Sequence, residues 1–291
     1  MHLEKLHRRR KTLFKHLKKE IQSQCIVSTQ NIPADFAEFN DMIGLPTSKI
    51  PPFRELPIFD YELEIISNIE KNKDYALNKA RGIGATEIIL RWILFQAITN
   101  KIPRRKFLIV TGIRLGLAKD HIKRILEMCI NLPGMIKDSS QYHITINNSE
   151  IIAIPASPSA IRGYENVGVI FADEAAHWNL LDDGPVLEAI EPHRTKSDAH
   201  IIIVSTPNGR RGFFGEIFHN PDTKYFRDTK DWSVSEGLLI DASKVEKIRK
   251  EDPYRFEQEY NCKFLSTRYS AIPQEILEKA NQSSMEYQLE D

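Results

Sequence analysis

Lys79-Ala80-Arg81-Gly82-Ile83-Gly84-Ala85-Thr86 lies between two apolar runs. Tyr75-Ala76-Leu77 leads in, and a helix-like run from Glu87 to Ala97 leads out. Strand, glycine loop and helix, in that order, are the context of a phosphate-binding loop. Glycines let backbone N–H groups approach phosphate oxygens, and the helix N-terminus that follows favours negative charge. The usual loop ends Gly-Lys-Ser/Thr. Here Ala85 stands between Gly84 and Thr86, so that place has no ammonium. Lys79 occupies the first position of the loop instead. Because such a loop curls around its ligand, a side chain from its start can reach the β- and γ-phosphates. A Gly-x-Gly turn before a helix is also often only a tight turn, so the rest of the chain has to decide.

The chain has 291 residues, enough for one large or two small domains, and its 41% apolar content suffices for a sizeable core. Lys+Arg and Asp+Glu balance at 40 each, so any nucleic-acid contact must come from local patches. The three cysteines, Cys25, Cys129 and Cys262, are far apart and form no C-x-x-C pair. Neither a disulfide framework nor a zinc site is suggested, and a reducing, cytoplasmic setting is expected. No apolar run reaches membrane-spanning length, and the N-terminus is charged where a secretion signal would be apolar, so a soluble chain without a membrane partner is expected.

Residues 1–22 combine Lys5, Arg8, Arg9, Arg10, Lys11, Lys15, Lys18 and Lys19 with Leu3, Leu6, Leu13, Phe14, Leu17 and Ile21 at roughly helical spacing. This basic amphipathic segment reads as a solvated helix packed by one face, a nucleic-acid contact, a docking element or, less readily, a membrane-surface helix. Prolines at 33, 46, 51, 52 and 57 suggest an extended lead-in. Regular patterning then begins. Helices are expected over 63–69, 115–130 and 180–190, strands over 75–78, 107–111, 167–172 and 200–204, and a hairpin over 142–154 around Asn147-Asn148. Alternating strands and helices predict an α/β layer fold with a mainly parallel sheet.

Two further groups carry chemistry. Val169-Ile170-Phe171-Ala172-Asp173-Glu174 is a buried strand ending in two carboxylates, a Walker B arrangement. Asp173 would hold Mg²⁺ directly or through water, with a hydroxyl from Thr86, and Glu174 would accept a proton from attacking water. The bland alternative is an acidic first helical turn. Ile202-Ile203-Val204-Ser205-Thr206-Pro207-Asn208-Gly209 brings hydroxyls and an amide to the carboxyl end of a sheet, where ligands bind in open α/β folds. Ser205, Thr206 or Asn208 could sense a γ-phosphate or position water; Pro-Asn-Gly is equally a turn signal. His177 and Trp178 read as packing residues. Arg210 and Arg211 read as a phosphate-backbone contact or a solvated turn.

These motifs, with Ile161-Arg162-Gly163 and Phe256-Glu257-Gln258-Glu259-Tyr260-Asn261-Cys262-Lys263-Phe264, resemble the ATPase part of the large terminase subunit, the DNA-packaging motor of tailed viruses and their relatives. The resemblance spans roughly Pro57 to Phe264. Some members of that family carry the loop lysine at its start, as Lys79 does. The resemblance implies a P-loop NTPase of the RecA-like, additional-strand, catalytic-glutamate type, with ATP and Mg²⁺ as cofactors. Lys79 and Arg81 would face the triphosphate. The loop Lys79, Ala80, Arg81, Gly82, Ile83, Gly84, Ala85 and Thr86 would wrap it, with Thr86 and Asp173 on Mg²⁺ and Glu174 as base. Ser205, Thr206 and Asn208 would couple ATP to DNA movement. Arg162 would make a salt bridge or serve the nucleotide or a neighbouring subunit. Phe59 or Tyr61 would stack on the base or belong to the core.

The expected division is a basic helix and proline-rich lead-in (1–56), an ATPase domain (57–265) and a short tail (266–291). That tail is too short for the nuclease domain with which full-length family members continue, so cleavage by this chain alone is not expected. The implied partners are double-stranded DNA, further copies in a ring, the portal, the small terminase subunit and a separate nuclease. A helicase-like or repair ATPase is the first alternative, although it would need a second RecA-like domain. A nucleotide-binding scaffold that no longer hydrolyses is the second, with Ala85 in its favour.

Overall fold

The computed structural model describes residues 32–47, 55–103, 105–112, 115–178 and 182–265. The basic segment 1–22, Cys25, Pro51, Pro52 and the tail 266–291 lie outside the described residues. In chain order the elements are α1 (Phe36–Ile43), α2 (Asp60–Lys71), β1 (Asp74–Lys79), α3 (Ala85–Thr99), β2 (Lys106–Thr111), α4 (Leu115–Met128), β3 (Ile136–Ser139), β4 (His143–Ile146) and β5 (Ser149–Pro155). There follow α5 (Pro158–Arg162), β6 (Val167–Asp173), α6 (Gly184–Ser197), β7 (His200–Ser205), α7 (Gly212–His219), β8 (Phe226–Lys230), α8 (Ala242–Glu251) and α9 (Pro253–Glu259). Single 3₁₀ turns occupy Cys129–Asn131, Ala175–His177 and Trp232–Ser235.

The strands form one sheet in the order β3-β4-β5-β2-β6-β7-β1-β8. From β5 to β8 every pairing is parallel; only β3-β4 and β4-β5 are antiparallel. Parallel strands need both faces covered, and the central strands β2, β6 and β7 are correspondingly apolar and buried. Successive residues point to opposite faces. Tyr75, Leu77, Phe107, Ile109, Val169, Phe171, Ile202 and Val204 pack under α1 to α4. Ala76, Leu108, Val110, Ile170, Ala172, Ile201 and Ile203 pack against α5 to α7. The helix after the glycine loop, α3, is buried almost all round, from Ile88 to Ile98. Even its Arg91 is enclosed, bound to Asn40 Oδ1 (3.1 Å), Gly44 O (2.8 Å) and Glu87 Oε1 (3.1 Å).

The expected hairpin is present, with Asn147 and Asn148 both at positive φ (43° and 64°), the geometry of a two-residue turn matched to strand twist. Three expectations need correcting. The lead-in is not uniformly extended: Asp35 Oδ1 accepts from the N–H groups of Ala37 and Glu38 and starts α1, whose Phe36, Phe39 and Ile43 are buried. The helix expected over 180–190 begins at Gly184 and runs to Ser197 through Pro192. Burial of His193 and Ser197 carries it past the one hydrogen bond proline removes. The helix expected to reach residue 130 gives way to a 3₁₀ turn after Met128.

Candidate functional site

The loop itself explains both of its glycines. Gly82 and Gly84 have φ of +85° and +79°, a region side chains enter at a cost. At Gly84 a Cβ would also stand 2.6 Å from Glu62 Oε1. Glu62 is itself buried, its other oxygen accepting from Phe59 N at 3.0 Å, and burial pushes its carboxyl up to about 7. Tyr61 donates to Ile83 O at 2.9 Å, so α2 braces the loop from below. The loop then runs into α3, whose first N–H groups have no intrahelical partner.

Strand order brings the other groups to this point. β7 lies between β1 and β6, so Lys79, Ser205 and Asp173 leave three adjacent parallel strands at the same edge. Lys79 Nζ lies 2.7 Å from Glu174 Oε1, and its side chain is only 7% exposed against 34% for Glu174. Glu174 follows β6 directly and adopts left-handed backbone (φ 51°), which costs a non-glycine residue about 1–2 kcal/mol. Thr86 Oγ1 donates to Asp173 Oδ1 at 3.2 Å. Trp178 Nε1 donates to Asp173 O at 2.9 Å, and His121 Nε2 lies 2.8 Å from Asp173 Oδ2. Burial alone raises the Asp173 carboxyl; the His121 contact, the Lys79 ammonium and the Thr86 hydroxyl outweigh it and hold it below the usual carboxylate range. Among the described residues no group of three or more His, Cys, Asp or Glu side chains is arranged to hold a metal. Asp173 and Thr86 offer hard oxygen donors, which suit Mg²⁺ if phosphate and water complete the shell.

The Ser-Thr-Pro-Asn-Gly segment is laced to the turn after the acidic pair. Ala176 N donates to Ser205 Oγ (3.1 Å), Asn208 Nδ2 donates to Ala176 O (3.0 Å), and His177 Nε2 meets Thr206 Oγ1 (2.7 Å). Burial lowers the His177 imidazole from its usual value, with Glu174 opposing and Lys79 adding to the effect. The packing role read for Trp178 holds, since it packs on Phe213 (centroids 5.5 Å apart). His177 does more than pack. Neither it nor His121 could be placed from sequence, because their partners are 29 and 52 residues away.

Two loop residues differ from the expected pattern. The N–H groups of Ala80 and Arg81 donate to Lys230 O and Glu259 O, both at 2.8 Å, rather than lining the loop's interior. The Arg81 side chain is 65% exposed and its guanidinium stands 3.5 Å from Glu259. Arg162 closes α5, is exposed and pairs with no carboxylate among the described residues. Tyr61 is core; Phe59, stacked on it 5.8 Å away, instead lines a cleft of 230 Å³ with Glu55, Leu56, Pro57, Gly237 and Leu238.

An eight-stranded, mostly parallel sheet flanked by helices, with a glycine loop on β1 and the acidic strand two places away, is a P-loop fold of the additional-strand type. Solved structures narrow this to the fold of large terminase ATPase domains. The ATPase domain of the Thermus phage P74-26 large terminase is 19% identical over 81% of this chain and 100% of that domain, with a TM-score of 0.58. The large terminase of a thermophilic bacteriophage is 12% identical over 75% of this chain and 57% of its own length, with a TM-score of 0.56. That terminase has also been solved with ADP and with ATP-γ-S. No family model matches the sequence, and no curated protein matches it. Among the described residues no helix is long and apolar enough to cross a membrane.

Proposed function

We propose that the chain is an ATP-hydrolysing motor subunit that moves double-stranded DNA, as the ATPase part of a genome-packaging terminase. The observation that carries this reading is the 2.7 Å contact between Lys79 and Glu174. It puts the loop's only buried ammonium beside the carboxylate best placed to activate water, with Thr86 and Asp173 alongside. The likeness to nucleotide-bound terminases supports the same reading.

The triphosphate would lie along Gly82 to Thr86, its charge met by the first N–H groups of α3. Lys79 would exchange Glu174 for a phosphate oxygen. That exchange frees Glu174 to take a proton from water held in line with the γ-phosphate. Asp173 and Thr86 would hold Mg²⁺, which neutralises phosphate charge during transfer. The base would enter the cleft beside Phe59, Pro57 and Leu238. This cleft adjoins the loop: Leu239 Cδ1 stands 3.2 Å from the position of a Cβ on Gly84. Thr206 and Asn208, tied to the turn that carries Glu174, would pass loss of the γ-phosphate to DNA-contacting segments. Arg162, exposed and without a carboxylate partner among the described residues, would serve a neighbour in a ring of copies. A portal and a small terminase subunit are the partners such a motor would work with.

Steady-state phosphate release with and without double-stranded DNA tests the proposal. Turnover stimulated by DNA and abolished in Glu174→Gln is expected. No turnover, even with DNA and partner subunits present, would favour the non-hydrolysing scaffold.

A further inference from the structure

Asp173 is held from three directions, and one of them has no role in the mechanism above. His121 comes from α4, which belongs neither to the glycine loop nor to the acidic strand. Its side chain is 1% exposed, that of Asp173 2%, and the ring lies against Phe171 with centroids 6.4 Å apart. A carboxylate oxygen only accepts, so Nε2 carries the hydrogen in its 2.8 Å contact with Asp173 Oδ2. The ring's other nitrogen, Nδ1, is buried with no partner among the described residues. The whole hydrogen-bonding capacity this histidine uses is therefore spent on one oxygen of Asp173. Thr86 Oγ1 lies nearer the second oxygen, Oδ1 (3.2 Å), than Oδ2 (3.5 Å).

We propose that His121 is a positioning residue that makes Asp173 a one-oxygen ligand and so sets the site's preference for Mg²⁺. This rests on the nucleotide function proposed above. A carboxylate torsion is soft, and an unrestrained Asp can present either oxygen or both. Mg²⁺ demands near-octahedral geometry and takes single carboxylate oxygens among waters and phosphates. Ca²⁺ is larger and accepts two-oxygen carboxylates in flexible shells. By taking a lone pair of Oδ2, His121 fixes the carboxylate and makes Oδ1, the oxygen nearer Thr86, the better ligand. Partners of this kind typically change metal affinity 10–100-fold when removed.

The test is binding of a fluorescent ATP-γ-S derivative to the full chain, titrated separately with Mg²⁺ and Ca²⁺. His121→Gln keeps a donor near the Nε2 position. His121→Asn is too short to present one there, and His121→Phe keeps the ring without any donor. The Mg²⁺ concentration giving half-maximal strengthening is expected to rise 10–100-fold in the Phe and Asn variants and to stay near wild type in Gln. The Ca²⁺ midpoint should move much less, and affinity without metal should not move. Thermal unfolding selects the variants that are folded; if Phe fails, the Asn–Gln pair decides. Equal Mg²⁺ midpoints in Asn and Gln, or equal shifts for both metals, would overturn the assignment. Wild-type binding that ignores Mg²⁺ would instead overturn the proposed function itself.

Discussion

Replacing Lys79 with methionine removes an ammonium and keeps an unbranched stem of similar reach. The ion pair it breaks is unequal: the lysine end is 7% exposed and the Glu174 end 34%. Once unpaired, Glu174 can turn toward water, so the folded state should lose only about 1 kcal/mol. Turnover should suffer far more. A preorganised charged donor aimed at developing phosphate charge stabilises the transition state by about 3–4 kcal/mol, or roughly 10²–10³-fold in kcat. Phosphate release at saturating ATP, beside a thermal unfolding curve, reads both effects. A folded Lys79→Met protein with wild-type kcat would rule out this role for the ammonium. So would a collapse in stability large enough to account for lost turnover by itself.

Gly84→Ala should cost about 2–3 kcal/mol, because positive φ and the buried Glu62 oxygen both oppose a Cβ, whereas Gly82→Ala, with nothing within 4 Å, should cost about 1; equal urea-unfolding losses would contradict this. Glu62 gives up its proton near pH 4.5 when unfolded but only near 7 when folded, so the folded state binds more protons between those values and stability falls as pH rises. Glu62→Gln should therefore gain on wild type above pH 7, by up to about 3 kcal/mol, and lose that advantage below pH 4.5; a pH-independent difference in urea midpoints would rule it out. Breaking the 2.7 Å contact between His177 and Thr206 through Thr206→Val should reduce DNA stimulation of turnover while basal turnover persists, with a coupling of about 1 kcal/mol to His177→Ala in a double-mutant stability cycle. Additive losses, with DNA stimulation intact, would speak against a coupling role.

Much of the site's frame was legible because apolar periodicity and glycine placement are local signals. The strand before Gly82, the strand before Asp173 and the one before Ser205 all appear within a residue or two of where their runs predict them. What brings their ends together, the insertion of β7 between β1 and β6, is a property of topology. The polar strands β3 (Ile-Lys-Asp-Ser) and β8 (Phe-Arg-Asp-Thr-Lys) escaped notice because they sit at the two sheet edges and bury too little to show a pattern. His121 and Glu62 were equally hidden. A histidine inside an amphipathic helix, or a glutamate in a first helical turn, looks ordinary until the fold places it against a carboxylate or a glycine. Arg81 is placed in part by the fold: its position in the motif suggests the triphosphate, and only the structure shows that its N–H donates to the carbonyl of Glu259, 178 residues away.

In this reading an ammonium from the start of the loop, Lys79, replaces the one missing beside Thr86. A crystal structure of the chain with Mg²⁺ and ATP-γ-S tests it most directly. Lys79 Nζ is expected to leave Glu174 and contact a phosphate oxygen. A triphosphate seated on Gly82 to Thr86 with Lys79 still on Glu174, and another cation on the phosphates, would contradict it.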